Sequence, residues 1–245
     1  MPKRLNAPDC PISLRPLDYD DEEEWNEVRW RNNDWLRPWE SGDPTYGSSI
    51  TYNQWMQRQR RSEKEGRGVI FAMEYQLQIV GQISLGAIDL GALRSGIVGY
   101  WVDQRWAGHG FAPMAVCLLA DWALLDPSGP SLHRLEIALL PENNRSRSVA
   151  VKVGAHYEGV RKRYMFVNGR WRDHETYSLL ADDLDEATGS VDEPTQGADT
   201  NEPDTTRGDS AIGEQKHELR MANHQYAFKS FTARFMGRHA MPQSA

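Results

Sequence analysis

Cysteine is almost missing from this chain: Cys10 and Cys117 are the only two among 245 residues. Two thiols, one near the N-terminus and one inside an apolar helical pattern, match neither a disulfide framework nor a zinc-ligand spacing, so a reducing compartment is expected. Long apolar runs are lacking too. No stretch approaches the ~20 residues that a membrane-spanning helix needs, and no basic leader precedes an apolar segment. Positive charge is in deficit, with 28 Lys and Arg against 35 Asp and Glu for a net charge of -7. The chain as a whole therefore has no nucleic-acid footprint, which leaves room only for a local one. The expectation is a soluble, cytoplasmic protein without a membrane span.

What is present points to a folded core. Apolar residues make up 39% of the chain and tryptophan occurs nine times, enough for one ordinary domain plus an extra segment. Residues 12–17 alternate like a strand, and the acids of 18–24 then suit a helix N-terminus. Trp25, Val28, Asn32, Trp35 and Leu36 fall at helical spacing, and Pro38 predicts a stop with a bend through Trp39 and Glu40. Ser49 is the candidate cap of a second helix that carries Tyr52, Trp55 and Met56. Strands are expected over 69–75, 79–85, 96–102 and 133–140, and helices over 113–125 and 143–153, the latter closed by Gly154 as a left-handed cap. Two last strands, 156–167 and 170–180, flank Asn168-Gly169, the strongest short hairpin signal. This order, β α α β β β α β α β β, is that of a mixed α+β domain.

From Asp183 the composition shifts to Glu, Asp, Thr, Gly, Ser and Pro. Residues 185–215 read as an acidic disordered linker. Beyond it, Met221, His224, Phe228, Phe231 and Phe235 recur at three- and four-residue steps among Lys and Arg, so 216–245 is expected to form a basic amphipathic tail. Such a helix either docks back on the domain or binds a partner, an anionic membrane surface, or RNA or the ribosome.

The chemistry is concentrated after the strand that ends with Tyr100, Trp101 and Val102. There the chain reads Ala107-Gly108-His109-Gly110-Phe111-Ala112-Pro113. The two glycines permit left-handed backbone, and Pro113 suits the first turn of a helix, where its missing N–H costs nothing. Several unpaired N–H groups then face one point with the helix dipole behind them, which suits a pyrophosphate. A second strand-to-helix junction, Leu140 to Ala155, sets Asn143 and Ser146 at the start of a short helix.

Taken with Leu36-Arg37-Pro38-Trp39-Glu40 and the hairpin Val167 to His174, these segments resemble the GNAT superfamily of acetyl-CoA-dependent N-acetyltransferases. Within it they are similar to the RimJ/RimL branch, which acetylates N-terminal amines of ribosomal proteins. The resemblance runs over 12–184 and implies the GNAT fold, a mostly antiparallel sheet with one splayed parallel strand pair that admits acetyl-CoA. It implies that Tyr100, Trp101 and Val102 line the cofactor, that Ala107, Gly108, His109, Gly110, Phe111 and Ala112 surround the pyrophosphate, and that Asn143 bonds the pantetheine. Ser146 matches the serine proposed to protonate the departing thiolate. Met165 stands where some relatives carry a glutamate, so the base stays open. Glu136 is the first candidate, on the same strand face as Ala138, whose position carries the base in another branch. Glu40, Asp173 and His174 follow, with Trp39 and Glu40 expected to receive the acceptor amine. Ala107 replaces a frequent Gln or Arg, removing a side-chain contact but not the backbone cradle. The implied activity is acetyl transfer to a primary amine, foremost a protein N-terminus. A small amine such as an antibiotic or polyamine is the rival acceptor, and a non-catalytic CoA-binding module with an RNA-binding tail is the alternative from another class.

Overall fold

The alternating segments form seven strands: β1 (Ser13–Pro16), β2 (Val69–Tyr75), β3 (Gln78–Asp89), β4 (Ser95–Val102), β5 (Arg134–Leu139), β6 (His156–Val167) and β7 (Arg170–Leu180). In the computed structural model, which describes residues 4–45, 50–184 and 230–238, they make one sheet in the order β1-β2-β3-β4-β5-β7-β6. Every pairing is antiparallel except β4 with β5. Asn168 and Gly169 both take positive φ, 49° and 78°, as the tight turn between β6 and β7 requires.

Among the described residues the helices are α1 (Glu22–Arg31), α2 (Asn33–Leu36), α3 (Tyr52–Lys64), α4 (Phe111–Ala120), α5 (Asn144–Val153) and α6 (Phe231–Arg238). Strand alternation separates two cores. Ile70 and Ala72 of β2 join Val28 of α1, Tyr52 and Met56 of α3, and the half-buried Trp25, Trp55 and Trp101. Phe71, between them in sequence, points the other way and meets Trp122 at the end of α4, ring centroids 5.7 Å apart.

Two local expectations are corrected. The helical spacing from Trp25 to Leu36 is broken at Asn32, a buried residue whose Nδ2 donates to the Val28 carbonyl (2.8 Å) and whose Oδ1 accepts the Gln104 N–H (2.8 Å). An asparagine serving two backbones ends α1, and a 3-10 turn, Arg37–Trp39, carries the chain through Pro38. Ser49 lies outside the described residues; Thr51 caps α3, accepting the Gln54 N–H while the Gln54 side chain returns to the Thr51 N–H.

Nearly every residue of α4 is buried, so no polar face marks where it meets water. The sheet covers one side, and α5 and α6 pack on the helix as well. Phe231 and Phe235 of α6 are 2% and 5% exposed. Asp121, the first acid after α4, accepts the N–H groups of Phe231 (2.6 Å) and Thr232 (3.1 Å), capping α6 from 110 residues away in sequence. Burial pushes the Asp121 carboxyl up, against the opposing hydrogen bonds from Thr232 and Phe231. The expected linker and the tail positions Met221, His224 and Phe228 lie outside the described residues. Among the described residues no helix is long and apolar enough to cross a membrane.

Phe231→Ala is expected to release α6 and leave the sheet intact. Hydrogen exchange of the α6 amides should rise by about a hundredfold, the effect of losing ~3 kcal/mol with a buried ring. Amides of β3 and β4 should keep their protection; a matching loss there would mean that α6 is integral to the domain core.

Candidate active site

The one parallel pair is short. β4 and β5 are in register from Ser95 opposite Arg134 to Val98 opposite Ile137, and there the pairing stops. β4 nevertheless continues along β3 as far as Val102, and β5 along β7 as far as Leu139. The two strands therefore part beyond Val98 and Ile137, and the facing backbone edges of 99–102 and 138–139 are left without the ladder that joins the strands below. This opening is the notch that the resemblance anticipated.

The glycine loop sits at the end of the β4 side. Gly108 and Gly110 take φ of +87° and +79°, values that an L side chain adopts only with strain. The first helical bond of α4 runs from the Met114 N–H to the Gly110 carbonyl (3.1 Å), so the Phe111 and Ala112 amides precede it and have no intrahelical acceptor; Pro113 has no N–H to leave unpaired. His109 is exposed, with Nδ1 3.3 Å from the Ala107 carbonyl and its ring among Trp106 and Phe111. It shapes the loop rather than pointing alone into solvent.

Asp103, 1% exposed, anchors the approach to this loop. One of its oxygens receives Arg31 Nη2 (2.8 Å) and Arg105 Nη2 (2.9 Å), and the other receives the Arg105 N–H (3.1 Å). Burial works against its charge, but the hydrogen bonds from Arg105 and Arg31 outweigh it and bring the pKa to about 2. With Asn32 holding the Gln104 N–H, α1 is tied to the segment that leads into the glycines.

Across the notch, Asn143 Oδ1 accepts the Ser146 N–H (3.1 Å) and caps α5. Ser146 Oγ lies 2.8 Å from the Tyr100 hydroxyl, so one hydrogen bond links the strand that forms one lip to the helix that follows the other. Burial pushes the Tyr100 phenol far up, which keeps its proton in place.

Register puts Glu136 on the opposite face from Tyr100, with Ile97, Gly99, Trp101 and Ala138. Its carboxylate receives Arg161 Nη2 (2.6 Å) and the Tyr164 hydroxyl (2.7 Å). The Tyr164 ring meets His174 edge-on at 5.9 Å; His174 is buried, with Nδ1 3.0 Å from the Arg172 carbonyl. Glu136, Tyr164, Arg161 and His174 therefore form one cluster. Asp173, next along β7, faces away and is taken by Lys162 Nζ (2.9 Å) and the Arg163 N–H (2.8 Å).

The turn that holds Trp39 and Glu40 is stitched to the β6–β7 hairpin, Asn168 Nδ2 donating to the Pro38 carbonyl (2.9 Å) and the Gly42 N–H to the Phe166 carbonyl (3.0 Å). Glu40 forms an ion pair with Arg29, whose guanidinium lies 5.1 Å from the Trp101 ring centroid. Two further acids are occupied in the same way, Glu175 by Arg147 and Glu142 by Arg172. Sequence reasoning missed the Tyr100–Ser146 bond and the Arg161–Tyr164 hold on Glu136. Nothing in the local sequence sets Tyr164 apart, and β6 shifts register between Arg161 and Met165, which no local signal marks.

A sheet parted at its one parallel pair, with a glycine loop at a helix N-terminus beside the gap, defines an acyl-CoA transferase fold. The acetyltransferase (GNAT) domain family matches residues 12–156, and the chain belongs to it: an N-acetyltransferase that moves an acetyl group from acetyl-CoA to an amino group. Its relatives include the probable N-acetyltransferase YjcK of Bacillus subtilis (30% identical over 177 residues, 70% of this chain and 95% of the relative). The [ribosomal protein uS5]-alanine N-acetyltransferase of Escherichia coli is 27% identical over 158 residues, covering 62% of this chain and 78% of the relative. Among solved structures, Mycobacterium smegmatis RimJ in complex with CoA-disulfide superposes with a TM-score of 0.65 at 32% identity, covering 74% of this chain and 87% of that one.

The pH dependence of stability should carry the Asp103 signature. Its folded-state pKa lies below the ordinary 3.8, so its contribution is complete above that value and is lost as pH falls through about 2. Asp103→Asn is expected to be less stable than wild type at neutral pH in urea titrations, with the gap shrinking as pH drops below about 4. A gap that stays constant to the acid end would show that the charge is not what anchors the loop.

Proposed function

We propose that this enzyme acetylates the N-terminal α-amine of a protein, a ribosomal protein in the first instance, in the cytoplasm. The observation that carries the reading is the notch itself, which has a hydroxyl pair on one face and a carboxylate cluster on the other. The acceptor is drawn from the relatives, one of which is named for acetylating the N-terminal alanine of uS5 and another as RimJ.

The residues present fit acetyl-CoA. The amides of Gly108, Gly110, Phe111 and Ala112 are donors for a pyrophosphate beside the α4 N-terminus. The unladdered edges at Tyr100, Trp101 and Val102 can pair with an extended pantetheine, and Asn143 lies at the end of the other lip. When bound, the thioester supplies the activated acetyl group. The chain then contributes position and proton traffic. Ser146 Oγ, fixed by Tyr100, donates to the departing sulfur, and the neutral Tyr100 phenol can replenish that proton. Trp39 and Glu40 border the acceptor side. Glu136 faces the amine from the opposite side of the sheet, held by Arg161 and Tyr164, and takes the amine proton through water in this scheme. His174 supports Tyr164, and Asp173 has no part in the transfer.

The charge inventory supports a peptide over a polyamine. Glu40, Glu136, Glu142, Asp173 and Glu175 each already hold a cation, so these five are not open to a polycation.

CoA thiol release should require peptides with a free terminal Ser or Ala and should fail with the same peptides N-terminally blocked and with polyamines. Ser146→Ala is expected to lower kcat by about a hundredfold, the lower end of what a positioned acid contributes, with the KM for acetyl-CoA little changed. Glu136→Gln should lower kcat/KM by about a hundredfold, the lower end of what a positioned base contributes. Release with polyamines alone would move the assignment to a small-amine acetyltransferase.

A further inference from the structure

Arginines and carboxylates form a charged rim around the notch. One feature of the rim stands apart. Arg145, in the first turn of α5 and next to Ser146, has its guanidinium carbon 4.0 Å from the centroid of the Trp35 ring. The Trp35 indole N–H donates to the Val102 carbonyl at the end of β4 (3.3 Å). The pair thus joins the helix after β5 to the end of β4, across the mouth of the notch.

Arg145 is exposed and lies over the Trp35 ring, and it forms no ion pair among the described residues. Arg29, Arg147, Arg161 and Arg172, by contrast, all hold carboxylates. The other rim acids, Asp34 and Asp43, are exposed and engaged by the Asn33 side chain and the Thr45 N–H. A guanidinium stacked on an aromatic ring keeps its N–H fork in one plane and presents it edge-on, the geometry that suits a carboxylate.

We infer that Arg145 reads an acidic side chain close behind the terminal amine of the acceptor, so that acidic N-terminal segments are the preferred substrates. The inference rests on the peptide-terminus reading above. The acceptor then carries a cationic amine to the transfer point and an anion one or two residues later, complementary to the exposed Arg145 guanidinium beside Ser146. Trp35 acts as the positioning residue: it fixes the guanidinium plane without touching the acceptor.

The test is a set of peptides beginning Ala-Asp-Asp, Ala-Ala-Ala and Ala-Lys-Lys, compared by kcat/KM with the wild type, Arg145→Ala and Arg145→Glu, at low and high salt. Wild type should favour the acidic peptide over the neutral one on the order of fivefold, the scale of an exposed ion pair, and the preference should shrink with salt. Arg145→Ala should level the series, and Arg145→Glu should turn it toward the lysine peptide, which also shows that the variant is folded. If wild type turns over all three peptides but Arg145→Ala leaves their ranking unchanged, or raises only the KM for acetyl-CoA, the inference is overturned and the peptide reading survives. If wild type turns over no peptide and acetylates polyamines instead, both fall together.

Discussion

Everything chemical in this structure depends on two strands ceasing to pair. A parallel pair inside a sheet ordinarily continues as long as both strands do, because each unpaired edge leaves backbone donors and acceptors without partners. Here β4 and β5 both run on, each held on its other side by an antiparallel neighbour, while the ladder between them ends at Val98 and Ile137. The antiparallel partners make this tolerable: β3 and β7 fix the directions of the two lips, so they diverge as rigid edges rather than fray. In the proposed function that unmet hydrogen bonding is what an extended, amide-rich arm would satisfy on arrival.

The parting also explains where the rest of the molecule invests its buried polar groups. Asp103 and Asn32 are both about 1% exposed, and both lock α1 to the segment that leaves β4. Asn143 and the Tyr100–Ser146 bond do the same work for the β5 side. Each lip has a polar anchor immediately after the strand, where a loop would otherwise drift and the distance across the gap would vary. Site geometry held within fractions of an ångström matters because a misplaced reacting group costs rate steeply.

Much of this was legible in sequence because the signals are local. A glycine pair before Pro113, an Asn-Gly turn and a glycine after a short helix each demand particular backbone angles, and the structure gives Gly108, Gly110, Gly154, Asn168 and Gly169 positive φ. The resemblance added the splayed pair. What sequence did not disclose depends on separations that no local pattern encodes. The unbroken apolarity of α4 made sense only once α6 covered it, through Asp121 and two phenylalanines more than a hundred residues away. The partners of Glu136 stayed hidden because the β6 irregularity between Arg161 and Met165 breaks the period of two, so alternation could not say which way Tyr164 pointed.

The division of the site between two faces of one sheet has a mechanistic consequence. Ser146 and Tyr100 belong to the face packed by α4 and α5; Glu136 and Trp101 belong to the face packed by α1 and α3. In the proposed reaction an acyl group lying in the gap between the lips would meet a nucleophile from one side and give up its leaving group toward the other. In direct transfer the proton lost by the amine and the proton gained by the thiolate are separate, and groups on opposite faces can tend to each without competing for the same space. In the proposed scheme the carboxylate cluster and the hydroxyl pair are two half-sites that meet in the gap, and the width of that gap, set by the anchors at Asp103 and Asn143, would decide whether they act on the same acyl carbon.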